Sequence, residues 1–291
     1  MKKIATLLLA AGLLFSAAGM AQAIDFKIRG QWIMAFDYGE HGAFTGGNGM
    51  TGYKKGNEDN FEARQRLRLQ LDAVASENLS GSVIFEMGDQ IWGQSATGGA
   101  LGADGTVVEV KNAWLGWMVP DTDIKVRMGL QGFFLPSMTT GSQVWGDDAA
   151  GITASWQINE NVALTALWAR LYNDNFQGYG DDGLRKNYMD NVDVAALLLP
   201  LTFDGFRLTP WAMYAGIGPN SLNADHANDW KNVGVSGIQY LAGMLPAGGA
   251  SHNSRMDLYG NAFWAGLTGE LTLLDPWRVA WDLNYGSVSY D

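Results

Sequence analysis

Cysteine is missing from this chain of 291 residues, and proline and histidine are sparse, at seven and three residues. Without cysteine the chain has no disulfide framework, no thiol nucleophile and no cysteine-containing metal site. His41, His226 and His252 all fall in segments that predict long loops. Loop histidines without cysteine give little support for a metal site or a serine–histidine pair, so we expect no catalytic residue and no metal ligand.

Basic residues are also scarce. The chain has 19 Lys and Arg against 30 Asp and Glu, a formal net charge of −11. Phosphates would repel such a chain, so nucleic acid is not an expected partner. After residue 23 there is no run of about 18 apolar residues, so no membrane-spanning helix is predicted.

The N-terminus has the pattern of an export signal. Lys2 and Lys3 precede an apolar stretch over residues 4–15, and a small-residue segment ends in Ala21-Gln22-Ala23. This order is typical of a secretory signal peptide, with a transmembrane anchor as the less favoured alternative. Removal of residues 1–23 takes two lysines from the 19 basic residues and leaves 17 against 30 acidic ones, a formal net charge of −13.

Aromatic residues and glycine are abundant: 12 Trp, 10 Tyr, 12 Phe and 38 Gly, at a mean hydropathy of only −0.07. In residues 25–37 the even positions are mostly apolar and the odd ones mostly polar. The same period of two recurs in residues 61–73, 124–131 and 277–286. It predicts strands with one apolar and one polar face.

Two all-β folds fit this alternation, a soluble sandwich and a transmembrane antiparallel β-barrel. Sandwich strands are mostly about 5–6 residues long, whereas a tilted strand needs roughly 9–11 residues to cross a bilayer. The strands predicted here are mostly of the longer kind, and aromatic residues lie near their ends, as in the interfacial girdles of a membrane barrel. These are Phe26, Phe36, Phe61, Trp117, Trp156, Tyr172, Trp277 and Tyr285. We therefore predict the barrel.

The links between strands alternate in length. The predicted strands are residues 25–37, 61–76, 82–88, 107–118, 124–131, 151–158, 162–171, 191–199, 206–215, 257–273 and 277–286. The even-numbered links are short, and the odd-numbered ones are long and rich in Gly, Asn and Asp. This rhythm is typical of short periplasmic turns and long extracellular loops.

Eleven strands are an odd number, whereas bacterial barrels close with an even one. The last residues, 286–291, look like the start of another long loop. We expect residues 24–291 to be a C-terminally truncated barrel domain, from a sixteen-stranded protein of on the order of 400 residues. The alternative is a complete smaller barrel with one strand overlooked.

A row of cations marks one strand face. Arg64, Arg66 and Arg68 alternate along the second strand, with Cβ atoms roughly 6.8 Å apart, two strand rises of about 3.4 Å. Three guanidinium groups facing lipid would cost several kcal/mol, so they are predicted to face the lumen. Lys125 and Arg127 share another inward face. Two interpretations stay open: a pore constriction, or structural ion pairs with the acids Glu62, Asp72, Glu86 or Asp282.

The segment over residues 63–71, the strand over residues 125–131 that leads to Pro136, and the rhythm of the links resemble general-diffusion porins. The likeness is greatest to the homotrimeric outer-membrane porins of sulfate-reducing bacteria, and it covers most of the mature chain. It implies a trimer of barrels, each with a water-filled pore for passive diffusion of small hydrophilic solutes and ions. It also implies partners in outer-membrane lipid and lipopolysaccharide, and no cofactor.

In porins the loop after the fifth strand folds into the barrel. The matching segment here is residues 132–150, whose only acids are Asp147 and Asp148. The resemblance therefore implies a constriction between that loop and the basic wall. Its expected residues are Arg64, Arg66, Arg68, Lys125, Arg127, Asp147 and Asp148.

Other sites and functions are weaker. Asp174, Asp181 and Asp182 can bind Ca²⁺ or bridge to lipopolysaccharide, but they lack EF-hand spacing, and solvated loop acids are favoured. The glycines at 98, 99 and 102 precede no helix and indicate a flexible loop. A barrel-scaffold enzyme would need a Ser–His or Asp–His pair at the level of the lipid or the loops, and no histidine falls on a predicted strand. A structural or adhesive barrel would need bulky or tightly paired inward residues that plug the lumen.

Overall fold

The computed structural model describes residues 24–39, 60–102, 108–173, 177–179, 185–187, 191–218 and 259–290. The predicted signal peptide, the three histidines and the acids at 174, 181 and 182 lie outside these residues. Within the described part, no helix is both long and apolar enough to span a membrane.

Within these described ranges the regular structure is β, apart from one 3₁₀ turn at Ser95–Thr97. The first seven strands are β1 (Asp25–Gly39), β2 (Asn60–Val74), β3 (Leu79–Ile91), β4 (Glu109–Met118), β5 (Ile124–Phe134), β6 (Gly146–Gln157) and β7 (Ala163–Asn173). The next seven are β8 (Gln177–Tyr179), β9 (Arg185–Asn187), β10 (Asn191–Leu198), β11 (Leu201–Phe203), β12 (Phe206–Ile217), β13 (Gly260–Leu274) and β14 (Trp277–Tyr290).

Eleven of these strands form one continuous antiparallel meander. Its order is β1-β2-β3-β4-β5-β6-β7-β10-β12-β13-β14, so each strand pairs with the next long strand of the chain. Strand β11 pairs only with β12, and β8 and β9 form a separate small hairpin. The all-β antiparallel expectation is confirmed, and each of the eleven predicted strands corresponds to one strand of the meander.

The pairing registers divide the side chains between two faces. One row crosses the whole sheet from Phe26 and contains mostly apolar residues: Phe26, Ala73, Gly81, Leu115, Met128, Ile152, Trp168, Ala195, Tyr214, Phe263 and Ser287. All seven large side chains of this row are exposed. The neighbouring row starts at Lys27 and lies on the opposite face, because successive strand residues point to opposite sides.

Part of that opposite face is covered by the link between β5 and β6, residues 135–145, which we name the β5–β6 link. Leu135, Val144 and Trp145 of the link are buried in the hydrophobic core. They pack in one cluster with residues of β7, β10, β12 and β13. Polar groups of the link also reach β14, five positions beyond β6 in the sheet order. The sheet is therefore curled around the link, and we name the covered face the inner face and the other the outer face.

The two ends of the sheet order are β1 and β14. In the described residues neither pairs with the other. They are the first and eleventh strands of an antiparallel meander, so they run in the same direction.

Candidate functional site

The β5–β6 link is anchored to β13 and β14 by a single carboxylate. Asp282 of β14 accepts hydrogen bonds from Ser137 Oγ at 2.6 Å and from the Met138 N–H at 3.0 Å. The hydroxyls of Thr139 and Thr268 also donate to it. With four donors on one carboxylate, the middle of the link is held against the inner wall.

A second polar contact lies beside this anchor. Arg278 donates to the Met138 carbonyl at 3.0 Å and also to Glu270. Arg207 donates to the other oxygen of Glu270. Glu270 is only 3 % exposed, and two guanidinium groups balance its charge. Sequence reasoning did not single out Glu270, although it is the one acid within the observed strand β13 and falls in the strand predicted over residues 257–273.

The other anchor of the link is apolar. Trp145 is 1 % exposed and stacks on Phe133, with ring centroids 5.0 Å apart. The cluster beneath it includes Trp211 and Trp264 of β12 and β13. The Trp211 ring lies where Gly266 has no side chain, since a Cβ there would approach the ring to 2.3 Å. Apolar side chains of β7, β10, β12 and β13 therefore fill the inner wall beneath Trp145.

The acids assigned to this loop lie elsewhere. The predicted loop was residues 132–150, but β5 continues to Phe134 and β6 begins at Gly146, so Asp147 and Asp148 belong to β6. They are part of the ladder because Asp148 pairs with Gly132 and Asp147 with Phe133. The link itself, Leu-Pro-Ser-Met-Thr-Thr-Gly-Ser-Gln-Val-Trp, has no ionisable side chain.

The two aspartates lie on different faces. Asp147 pairs with the buried Phe133 and so shares the inner face. Asp148 instead shares the outer face with its pairing partner Gly132. A Cβ added to Gly132 would point to this side and lie 3.3 Å from Asp148 Oδ1. Its carboxylate accepts from Lys111 Nζ at 2.5 Å and Asn112 Nδ2 at 2.8 Å. The acidic side of the constriction, expected to consist of Asp147 and Asp148, remains a prediction. Of these two residues, only Asp147 lies on the inner face.

The arginine row on β2 is on the inner face, and each arginine has an acidic neighbour. Arg64 lies 3.1 Å from Asp37 and 3.9 Å from Glu62. The Arg68 Nε lies 2.5 Å from Glu86. Arg66 makes a two-pronged pair with Asp89, with Nε donating at 2.9 Å, and lies 3.9 Å from Glu86. Of the acids that the structural interpretation named, Glu62 and Glu86 lie beside the row. Asp72 instead pairs with Arg29, and Asp282 accepts hydrogen bonds from the β5–β6 link. The constriction role stays untested.

Lys125 and Arg127 lie on the inner face of β5, near its turn end. The Arg127 guanidinium lies over the Trp114 ring, 4.1 Å from its centroid. Among the described residues neither cation has an acidic partner within salt-bridge distance. Sequence reasoning missed Trp114, although it alternates with Leu115 of the outer face and so lies on the inner face.

Metal-binding chemistry has no support in the described part of the chain, where no three His, Cys, Asp or Glu residues cluster as ligands would. No protein-family model and no curated protein matches the chain. One solved structure that it resembles is the "NanC porin structure in rhombohedral crystal form", at 11 % sequence identity and a TM-score of 0.27. That alignment covers 78 % of this chain and 93 % of the other. A likeness of this size carries no weight for function.

Proposed function

We propose that this chain is an outer-membrane β-barrel porin, which forms a water-filled channel for passive diffusion of small hydrophilic solutes and ions. The observation that carries the proposal is the two-faced sheet. Large apolar side chains are exposed on its outer face, while ion pairs and the β5–β6 link occupy its inner face.

The outer face fits lipid better than water. Ile28 is 69 % exposed, Leu115 56 % and Leu283 61 %. Soluble proteins rarely leave large contiguous apolar patches exposed, and a membrane barrel needs such a band of apolar side chains. Ten of the eleven meander strands have 10 to 15 residues, which is enough to cross a bilayer at a tilt.

Closure of the barrel is part of the proposal. Direct pairing of β1 with β14 would be parallel, because the two strands run in the same direction, whereas such barrels are antiparallel throughout. The two edges would therefore meet through at least one further strand. We propose also that the chain is exported by its N-terminal signal, assembles as a homotrimer among outer-membrane lipids and lipopolysaccharide, and catalyses no reaction.

A second candidate is a structural or adhesive barrel whose lumen is closed. The observation that favours it is the apolar cluster of the inner wall, where Trp145, Trp211 and Trp264 are each at most 5 % exposed. Side chains of this size fill the space between the link and β7 to β13. A channel must then pass on the other side of the link, along the charged strands β1 to β5.

Planar-bilayer recording with the purified full-length protein distinguishes the two candidates. A porin gives stepwise, ohmic current increments in potassium chloride. A barrel that is inserted, as verified by its protection from protease in liposomes, yet stays electrically silent has a plugged lumen. That result would overturn the porin proposal and favour the structural barrel.

A further inference from the structure

Arg127 is the exception in a wall of paired arginines. On the inner face, Arg29 pairs with Asp72 at 2.6 Å, the β2 row pairs with acids of β1 to β3, and Arg207 and Arg278 share Glu270. Of the arginines whose side chains the structure describes, Arg127 alone has no acidic partner.

The guanidinium of Arg127 is nevertheless held in place. It stacks on Trp114, at the distance of a strong cation–π contact. Trp114 has room for this position because its ring packs over Gly116, where a Cβ would approach the ring to 3.1 Å. Gly116 in turn pairs directly with Arg127.

Stacking occupies the flat face of a guanidinium and leaves its edge free. The edge carries five N–H donors in a fixed fork. None of these donors has an acceptor in the described part of the chain. A fork of this geometry fits the two oxygens of a carboxylate.

The surroundings of this edge favour an anion. Lys125 lies two residues away on the same face, is exposed and has no described acidic partner. Thr153 pairs with Arg127, and Ser155 pairs with Lys125, so both cations have a hydroxyl beside them. The neighbour on the other side along β5 is Gly129, which leaves the wall open there.

We propose that Arg127 and Lys125 form a carboxylate-binding step on the lumen wall. The inference deepens the proposed channel function and rests on it. Small organic anions with a carboxylate would pause at this step, whereas small cations would be repelled by two uncompensated positive charges.

The test is planar-bilayer recording of the full-length protein in potassium acetate and potassium chloride. Wild type should show a conductance that saturates with acetate concentration. Arg127→Gln should lose this saturation and lower the anion-to-cation permeability ratio about fivefold, the factor that corresponds to about 1 kcal/mol between unit charges about 4 Å apart in water. Arg127→Lys keeps the charge but not the fork, so it should retain most of the permeability ratio and lose the acetate saturation.

Lys27→Gln is the matched control, because Lys27 is an inner-face cation that pairs with Asp25 at 3.6 Å. It should change both quantities much less than Arg127→Gln. Equal effects of the two substitutions, or no effect of Arg127→Gln, would overturn the carboxylate step while the channel stands. If the Arg127→Gln variant does not fold, the Arg127→Lys variant is the test by itself. A conductance of Arg127→Lys that still saturates with acetate concentration would overturn the carboxylate-binding step. A silent wild-type bilayer would overturn the channel and the step together.

Discussion

Each arginine of the β2 row has an acidic neighbour on β1, β2 or β3, and these pairs are partly exposed. The side chains of Arg66 and Arg68 are 28 % and 30 % exposed, and that of Glu86 is 20 % exposed. Pairs in such places contribute little to stability but set the local charge. Removal of one partner therefore changes the field in the lumen more than it changes the fold.

We expect Arg66→Gln combined with Arg68→Gln to shift the channel toward cations. The substitutions leave Glu86 and Asp89 without their partners, and two uncompensated acids attract cations across distances of about 8–10 Å at moderate salt. The anion-to-cation permeability ratio should fall by a factor of about five or more. Reversal potentials in a salt gradient measure it.

The matched control removes the acids as well. Adding Glu86→Gln and Asp89→Asn restores the net charge of the wall, so the permeability ratio should return close to that of wild type. A double mutant with unchanged selectivity in a folded barrel would mean that the row is structural and that the constriction lies elsewhere.

At the scale of elements, the β5–β6 link combines two kinds of anchor. Its ends are packed in the core through Leu135, Val144 and Trp145, and its middle is held by Asp282. Because the link has no ionisable side chain, it would narrow the proposed channel only by its volume and by neutral donors. We therefore expect the charges of the wall, and not of the link, to govern ion selectivity.

Asp282→Ala should loosen the middle of the link. The four donors of the link and β13 lose their acceptor, and a buried donor left without a partner destabilises the folded state by about 1–3 kcal/mol. We expect a larger single-channel conductance and more open-channel noise, because the link samples positions away from the wall. Asp123→Ala, in the exposed turn before β5, is the control. Conductance and noise equal to wild type would show that the apolar anchor alone fixes the link.

Alternation was enough to predict β1, β2, β5 and β14, because each has apolar residues on one face and polar residues on the other. It failed where that pattern is missing. The start of β6, Gly-Asp-Asp-Ala-Ala-Gly, has weak strand formers and no alternation, and it becomes a strand because β5 offers a complete partner. Asp147 and Asp148 were therefore placed in a loop.

The inner wall of β10 to β13 was equally hard to predict. Along β12 both faces have apolar residues, so alternation does not tell which side faces inward. Burial of Trp211, Met213 and Ile217 depends on the β5–β6 link, which is more than 60 residues earlier in the chain. A contact of that range leaves no local pattern.

The face of the sheet on which a residue lies determines whether a charged substitution there should affect the stability of the barrel or its ion selectivity. Two adjacent residues of β2 lie on opposite faces. Leu69 lies on the outer face, where it pairs with Gly30 and Phe85. Gln70 lies on the inner face, where it pairs with Arg29 and Ile84. An arginine on a lipid-facing site near the bilayer midplane costs about 2–4 kcal/mol, whereas a lumen-facing one mainly changes selectivity.

Leu69→Arg should therefore destabilise the folded barrel by about 2–4 kcal/mol, and Gln70→Arg should leave its stability nearly unchanged. Urea titration of the barrel in liposomes, followed by tryptophan fluorescence, measures the difference. Equal stability of the two variants would mean that the outer face does not contact lipid.

The topology of the whole chain can be probed on intact cells. If the odd-numbered links are extracellular, an added protease should cut within residues 224–249 and spare the short turn at residues 159–161. Permeabilised cells provide the control, since both sites become accessible there. Cleavage of the short turn in unbroken cells would reverse the topology.

The meander also has a consequence for the order of assembly. Neighbouring strands in the sheet are neighbours along the chain, so the sheet can grow hairpin by hairpin without distant segments having to find each other. The bond from Ser137 to Asp282 is different, because it joins residues 145 positions apart. Its acceptor is on the last strand of the meander, so the β5–β6 link lacks its carboxylate anchor until β14 has formed. We therefore expect full seating of the link to follow the pairing of β14, and the proposed barrel to have a wider lumen before that step than after it.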